Sequence, residues 1–120
     1  MRKRILLVED EEDNMQILRD LLAPSYELVE ADNGEKALAE AAKQRPDLIL
    51  MDIQLPIMDG YEATRRLKAD PALRSVPIIA ITSYALGQDE ARARQAGCDD
   101  FVAKPYSPRV LLAKIREYVG

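Results

Sequence analysis

The sequence predicts an α/β fold of the three-layer (βα)5 type, in which a parallel five-stranded sheet lies between two layers of helices. Short apolar runs alternate with helical patterns from one end of the chain to the other. Nearly continuous apolar runs are typical of parallel strands that are buried on both faces. Four of the runs end in a carboxylate, a hydroxyl or an ammonium group. Ligands bind at the carboxyl ends of such strands, so these groups indicate a site at one edge of the sheet.

The first two strands fix the expected strand order. Ile5–Val8 is the first strand, and the apolar spacing in 13–22 predicts a helix that ends at Pro24–Ser25. The next run, 26–31, alternates apolar and polar residues, as a half-exposed edge strand does. Because this second strand ends in no chemical group, we place it at the margin of the sheet, which predicts the order 2-1-3-4-5.

The middle of the chain continues the alternation. A turn and cap at 32–34 precede the second helix, which ends before Pro46. Segments 48–52 and 76–82 are the third and fourth strands, and a third helix between them starts near the cap residue Asp59. The inner faces of these two helices are expected to comprise Ala37, Leu38, Ala41 and Ala42 in the second and Ala63, Thr64 and Leu67 in the third.

The last third of the chain contains one unusual helix. The fourth helix, about 88–95, offers mainly alanines to the core, so we expect weak anchoring. Segment 100–104 is the fifth strand, and Ser107–Pro108 starts the fifth helix, because proline is favoured in the first turn. The inner face of that helix is expected to comprise Leu111, Leu112, Ile115, Tyr118 and Val119.

Length and charge exclude several classes of protein. The chain has 120 residues, which is the size of one domain, 1–120. The net charge is −4, so no basic face for nucleic acid is expected. The first apolar run is too short for a signal peptide or a membrane span, which favours a cytoplasmic protein. Cys98 is the single cysteine and is expected to be a small buried residue, and histidine is absent.

Three carboxylates are expected to meet at the carboxyl edge of the sheet. Glu9 and Asp10 follow the first strand, and Asp52 ends the third. Carboxylates packed at one point repel each other unless a cation lies among them, and oxygen ligands of this kind suit Mg²⁺. The backbone carbonyl of Gln54 is a candidate for one more ligand. By contrast, the acids at 11–13 are expected only to favour the start of the first helix.

Two further strand ends complete the predicted site. Lys104, before a Pro105 bond that we expect to be cis, can pair with Asp52 and then with a phosphoryl oxygen. Thr82 can donate its hydroxyl to the same group. A carboxylate beside a divalent ion can attack phosphorus and form an acyl phosphate. Since no glycine-rich phosphate loop is present, we expect the donor to be another protein's phosphohistidine or a small acyl phosphate rather than ATP.

Four motifs carry a family resemblance that covers the whole chain. With them the sequence resembles the receiver domain of two-component response regulators, which has a flavodoxin-like fold. The stretches 47–56 and 96–98 are similar to stand-alone cell-cycle regulators of the DivK type. The motifs are Val-Glu-Asp at 8–10, Asp-Leu-Ile-Leu-Met-Asp-Ile-Gln-Leu-Pro-Ile-Met-Asp-Gly at 47–60, Ile-Thr-Ser at 81–83 and Lys-Pro at 104–105.

The resemblance implies specific roles and partners. It implies that Asp52 accepts the phosphoryl group, that Glu9 and Asp10 hold Mg²⁺, and that Thr82 and Phe101 form a switch. The donor would be a sensor or hybrid histidine kinase or a histidine phosphotransfer protein. The downstream target would bind the face formed by the fourth helix, the fifth strand and the fifth helix. Neither membrane nor nucleic acid is expected as a partner.

The sequence departs from the family pattern at two positions and leaves other functions open. Glu9 stands where many members have Asp, and Phe101 stands where many have Tyr. Tyr84 is expected to shield the phosphoryl group from water. One alternative is a receiver cut from a hybrid kinase, which the start at Met1 disfavours. Another is an aspartate-nucleophile phosphohydrolase, which is disfavoured because Gln54 stands where such an enzyme has its second Asp. A flavin-binding module is a further alternative, disfavoured by the acidic first loop. We expect a signalling protein and not an enzyme.

Overall fold

The computed structural model describes residues 2–82 and 87–120. The expected role of Tyr84 therefore lies outside the described residues. Within them, strands and helices alternate as predicted. The strands are β1 Arg4–Val8, β2 Glu27–Ala31, β3 Leu48–Asp52, β4 Ile78–Thr82 and β5 Asp100–Ala103. The helices are α1 Glu12–Leu22, α2 Gly34–Lys43, α3 Gly60–Ala69, α4 Gly87–Ala96 and α5 Pro108–Val119.

The sheet has the predicted order, β2-β1-β3-β4-β5, and the paired strands are parallel. The five residues of β3 and of β4 are all buried, whereas β2 at the margin is partly exposed. β4 starts two residues later than expected, directly after Pro77, because proline has no amide hydrogen to donate to a neighbouring strand. The edge position of β2 is confirmed.

Alternate residues of each strand supply two separate cores, because side chains alternate between the faces of a sheet. Ile5 and Leu7 of β1 pack with α1 and α5 on one face, which we call the α1/α5 side. Leu6 and Val8 pack with α2, α3 and α4 on the other face, which we call the α2–α4 side. Cys98 is buried on the α2–α4 side, as expected, with its Sγ 3.7 Å from Thr64 Oγ1.

Side-chain caps start two of the helices where the sequence predicted them. Asn33 accepts a hydrogen bond of 2.9 Å from the backbone N–H of Lys36 at the start of α2. Asp59 accepts one of the same length from Glu62 at the start of α3. Each carboxyl or amide oxygen satisfies a backbone donor that has no partner within its own helix. Asp59 is therefore a cap, as expected.

Two residues of the expected inner faces lie outside the core. Ala42 of α2 is exposed. Tyr118 of α5 is 37% exposed. Its hydroxyl donates at 3.1 Å to the carbonyl of Asp99 and lies 3.3 Å from a carboxylate oxygen of Asp100. A tyrosine tip that finds polar partners at a strand end gains more there than in an apolar core, which explains the difference.

Helix α4 is anchored by small side chains, as the sequence predicted. Ala93 and Ala96 are its buried residues among those whose side chains are described. An alanine buries far less apolar area than a leucine, so α4 has little hydrophobic stabilisation of its own. Gly97 follows the helix with a φ of 113°, a conformation that glycine adopts without strain and that ends α4.

Candidate functional site

The three predicted carboxylates converge at the carboxyl edge of the sheet. β1 and β3 are neighbours with Val8 opposite Met51, so the residues that follow both strands lie side by side. One oxygen each from Glu9, Asp10 and Asp52 can be chosen so that all lie within 4.8 Å of one another. Glu9 and Asp52 are 2% and 4% exposed, whereas Asp10 is exposed. The cluster is thus buried on one side and open to solvent on the other.

The chemistry of this cluster fits a divalent cation. Burial, the hydrogen bond with the neighbouring Asp52 and the negative charge of Asp52 together raise the pKa of Glu9 to about 7. Lys104 opposes that shift but does not cancel it. A carboxyl group that holds its proton this strongly lacks enough nearby positive charge. Three oxygen ligands with one open side are the donor set that Mg²⁺ takes in proteins.

Lys104 supplies one positive charge to the two buried carboxylates. Its Nζ lies 3.3 Å from an oxygen of Glu9 and 3.3 Å from an oxygen of Asp52. It follows β5, and its backbone N–H donates at 2.6 Å to the carbonyl of Thr82 at the end of β4. The Lys104–Pro105 bond is cis, as expected. Burial lowers the pKa of Lys104, but the charges of Asp52 and Glu9 outweigh this, so the pKa is raised and the ammonium form is favoured.

Backbone and amide donors orient the other oxygen of each buried carboxylate. Asp52 Oδ1 accepts from the backbone N–H of Gln54 at 2.9 Å. Glu9 Oε1 accepts from the backbone N–H of Glu11 at 3.2 Å and from the side-chain amide of Asn14 at 3.4 Å. Sequence patterns did not single out Asn14, although its place in the first turn of α1 is close to the acid pair. The carbonyl of Gln54 as a metal ligand stays a prediction.

The two predicted switch residues lie in adjacent strands. Thr82 is the last residue of β4 and is buried, at the same edge of the sheet as Asp52. Phe101 of β5 is half-buried and packs against the core of the α2–α4 side. In the β4–β5 pair Phe101 lies opposite Ala80, which is two residues before Thr82 in β4. Their roles as a switch stay predictions.

A glycine brings the start of α3 against the end of β3. The backbone N–H of Gly60 donates at 3.0 Å to the carbonyl of Ile53. A Cβ at this position would lie 2.4 Å from the carbonyl oxygen of Asp52 and 2.7 Å from the Cα of Ile53. Only glycine permits this approach, so Gly60 fixes the backbone that carries Asp52.

The comparison with known proteins identifies the family. The model of the response regulator receiver domain matches residues 5–116, so the chain belongs to the receiver-domain family of two-component signalling. The polar-differentiation response regulator DivK of Brucella anthropi is 47% identical over 121 residues, which cover 100% of this chain and 98% of that protein. DivK of Brucella ovis is 46% identical with the same coverage. The predicted similarity to DivK-type regulators is confirmed.

Solved structures confirm the fold. A response regulator from Chloroflexus aurantiacus superposes with a TM-score of 0.95 at 28% identity, covering 99% of this chain and 98% of that one. The receiver domain of the sensor histidine kinase PA1611 from Pseudomonas aeruginosa has a TM-score of 0.93 at 39% identity, with coverages of 100% and 99%. That structure has a magnesium ion coordinated in its active-site cleft. The helices of the present chain, as far as its residues are described, are each too short or too polar to span a lipid bilayer.

Proposed function

We propose that this protein is a single-domain response regulator that accepts a phosphoryl group on Asp52 in the presence of Mg²⁺. The donor is a histidine kinase or a histidine phosphotransfer protein, and the signal is read by a protein that binds the face formed by α4, β5 and α5. The convergence of Glu9, Asp10 and Lys104 on Asp52 is the observation that carries this proposal. Full-length similarity to DivK and the receiver-domain match support it.

Each residue of the site has a defined part in the proposed reaction. A carboxylate oxygen of Asp52 bonds to phosphorus while the bond from phosphorus to the donor's imidazole nitrogen or acyl oxygen breaks, and the leaving group keeps the electron pair. Lys104 Nζ neutralises a phosphoryl oxygen, and the Thr82 hydroxyl donates to another. Glu9, Asp10, Asp52 and the carbonyl of Gln54 would hold Mg²⁺, which would supply the remaining neutralisation of phosphoryl charge.

A groove on the α1/α5 side gives a protein donor room to approach. It has a volume of about 370 Å³, and Glu9 and Lys104 are among the residues that line it. Its wall includes Ile17 of α1, which is 54% exposed, together with Tyr106 and Pro108. Exposed apolar side chains beside a charged site suit a partner that buries them while it delivers its phosphohistidine to Asp52.

The proposed output face includes α4, a helix that is anchored mainly by small side chains. α4 buries mainly alanines, so its position can change at small cost when charge arrives at Asp52. Thr82 moving toward the phosphoryl group and Phe101 repacking would couple the site to α4 and β5. Lys114 of α5 pairs with Asp100 at 3.0 Å, which links the helix to the strand on this face.

Intact-mass spectrometry after incubation with acetyl phosphate tests the proposal. We expect one phosphoryl adduct per chain with Mg²⁺, none with EDTA, and none in Asp52→Asn. The substitution is nearly isosteric, and thermal melting checks that the variant is folded. An adduct that persists in Asp52→Asn, or a wild-type protein that binds Mg²⁺ but takes no phosphoryl group from acetyl phosphate or from a phosphorylated phosphotransfer protein, contradicts it.

A further inference from the structure

A second cation lies near the proposed phosphoryl site, on the side of the sheet away from Lys104. The guanidinium carbon of Arg92, on α4, lies 4.3 Å from the centre of the Tyr61 ring on α3. This is the distance of a cation–π contact. Both side chains line a cavity of about 300 Å³ whose other walls include Gln54, Asp59 and Thr82. Arg92 is exposed, whereas Tyr61 is buried.

The two cations flank the end of β3 from opposite faces. The groove beside Lys104 is walled by Leu18 and Ile81, which belong to the core of the α1/α5 side. The cavity beside Arg92 is walled by Ile53 and Tyr61, which belong to the core of the α2–α4 side. A phosphoryl group on Asp52, next to Thr82, would therefore meet Lys104 on one face and the Arg92 cavity on the other.

Among the side chains of 2–82 and 90–120, which are those that the structure describes, no carboxylate forms an ion pair with Arg92. Asp59, in the same cavity, uses its Oδ1 to cap α3. Arg94, two positions further along α4, instead pairs with Glu90 at 3.5 Å. The described contact of the Arg92 guanidinium is thus an aromatic face, which is a weaker partner for arginine than a phosphate oxygen.

We propose that Arg92 is a further ligand of the phosphoryl group, which it binds by exchanging the Tyr61 ring for a phosphoryl oxygen when Asp52 is phosphorylated. This inference rests on the proposed function. Phosphorylation brings about two negative charges and strong acceptor oxygens to the strand end. The planar guanidinium of arginine forms charge-assisted hydrogen bonds with phosphate, often two in parallel.

The exchange gives the phosphoryl group a direct connection to α4. Arg92 is one residue before the buried Ala93, so a pull on its side chain acts on the part of α4 that contacts the core. Because alanines bury little apolar area, this contact stabilises the position of α4 only weakly. The response of α4 would then depend on Arg92 as well as on Thr82 and Phe101.

Nuclear magnetic resonance of labelled full-length protein with Mg²⁺, before and after addition of acetyl phosphate, tests the inference. In the unphosphorylated protein we expect the side-chain protons of Arg92 to carry the ring-current shift of Tyr61. Phosphorylation is expected to abolish that shift and to move the amide resonances of α4. Tyr61→Leu should remove the ring-current shift from the unphosphorylated protein but keep the α4 response to phosphorylation.

Arg92→Gln and the matched control Arg94→Gln separate the possible outcomes. Both positions are exposed on α4 and lose the same charge, so both variants should stay folded. We expect the α4 response, compared at equal occupancy of the Asp52 adduct as measured by intact mass, to be lost in Arg92→Gln and kept in Arg94→Gln. An unchanged α4 response in Arg92→Gln, or an Arg92 ring-current shift that survives phosphorylation, overturns this inference but leaves the proposed function standing. A wild-type protein without the adduct overturns the proposed function, and the inference with it.

Discussion

At the scale of single residues, the site depends on a carboxylate that the fold buries against another carboxylate. Glu9 is nearly inaccessible and shares Lys104 with Asp52. The folded protein holds the Glu9 proton up to a pKa of about 7, whereas an ordinary glutamate releases it at 4.5. The folded state therefore binds more protons than the unfolded state in this window. Without a metal, stability falls as pH rises from about 4.5 to about 7.

The same pKa predicts how Mg²⁺ binding depends on pH. Because a proton on Glu9 competes with the metal, the dissociation constant of Mg²⁺ should rise up to about tenfold for each pH unit below 7. Isothermal titration calorimetry between pH 5.5 and 8 measures it. In Glu9→Gln the affinity should be lower and this part of the pH dependence absent. A flat affinity profile in the wild type would show that Glu9 does not ligate the metal.

Ile57 is a second residue of interest, because its backbone conformation lowers the free energy of unfolding by an amount that can be measured. It has a φ of 68° and is 76% exposed, in a tight turn where the Met58 N–H donates at 2.7 Å to the Pro56 carbonyl. A β-branched residue is strained in this left-handed region, whereas asparagine tolerates it. Ile57→Asn should raise the free energy of unfolding by about 0.5–1 kcal/mol in urea denaturation. Ile17→Asn, an exposed isoleucine within α1, should bring no gain. Equal effects at both positions would contradict strain at Ile57.

At the scale of elements, the junction between β3 and α3 holds the site together. The cap at Asp59 starts α3, and Gly60 lets its first turn lie against the backbone of Asp52. The helix thereby closes the α2–α4 side of the site, and Tyr61 in the same turn carries the contact with Arg92. In the motif Met-Asp-Gly-Tyr at 58–61, Asp59 therefore caps α3 and Gly60 lets the helix approach the backbone of Asp52. Tyr61 provides the aromatic ring that contacts Arg92.

Gly60→Ala tests that junction. The added Cβ would lie 2.4 Å from the Asp52 carbonyl oxygen, so backbone must shift, and we expect a loss of about 2 kcal/mol or more in the free energy of unfolding. Chemical denaturation measures this loss, and Mg²⁺ affinity should fall with it because Asp52 moves. Gly120→Ala is the control: its Cβ would meet nothing within 4 Å, so any loss there reports only the cost of a side chain at a φ of 84° and not a steric clash. A stable Gly60→Ala protein with unchanged Mg²⁺ affinity would refute this account of the junction.

At the scale of the whole molecule, the sheet collects residues distant in sequence at one edge. Glu9 and Lys104 are 95 positions apart, yet they contact each other because β1 and β5 end at that edge. A ligand that binds residues from several strands stabilises the entire folded state, since the unfolded chain cannot assemble them. The site is therefore coupled to the stability of the domain.

Mg²⁺ should accordingly raise the melting temperature. At a concentration of about 100 times the dissociation constant the gain is about 2.7 kcal/mol, or several degrees for a domain of this size. Differential scanning calorimetry at pH 7.5 with Mg²⁺ or EDTA measures it. Asp10→Asn should lose most of the gain while melting normally in EDTA, because Asp10 is exposed and makes no described buried contact. Equal gains in Asp10→Asn and wild type would place the metal elsewhere.

The sequence predicted the fold and the convergence at the site because both depend on local patterns. Apolar runs locate strands, and parallel strands bring their final residues together, which sufficed for Glu9, Asp10, Asp52 and Lys104. The orientation of Tyr118 and the stacking of Arg92 on Tyr61 depend on side-chain directions between elements that are far apart in sequence. The contact of the Asn14 amide with Glu9 depends on the direction of a side chain across the short turn between β1 and α1. No periodicity encodes those directions, so the structure was needed to find them.

The ion pairs of Lys104 bear on which ions the site can accept. Three carboxylates and one ammonium group leave two negative charges when all are ionised. One divalent ion balances this sum, whereas a monovalent ion leaves a residual charge in a partly buried place, which is costly. Valence, more than ionic radius, is then the property by which the resting site discriminates. With sodium or potassium bound instead, a net negative charge would remain in the site and would repel the phosphoryl group of the donor.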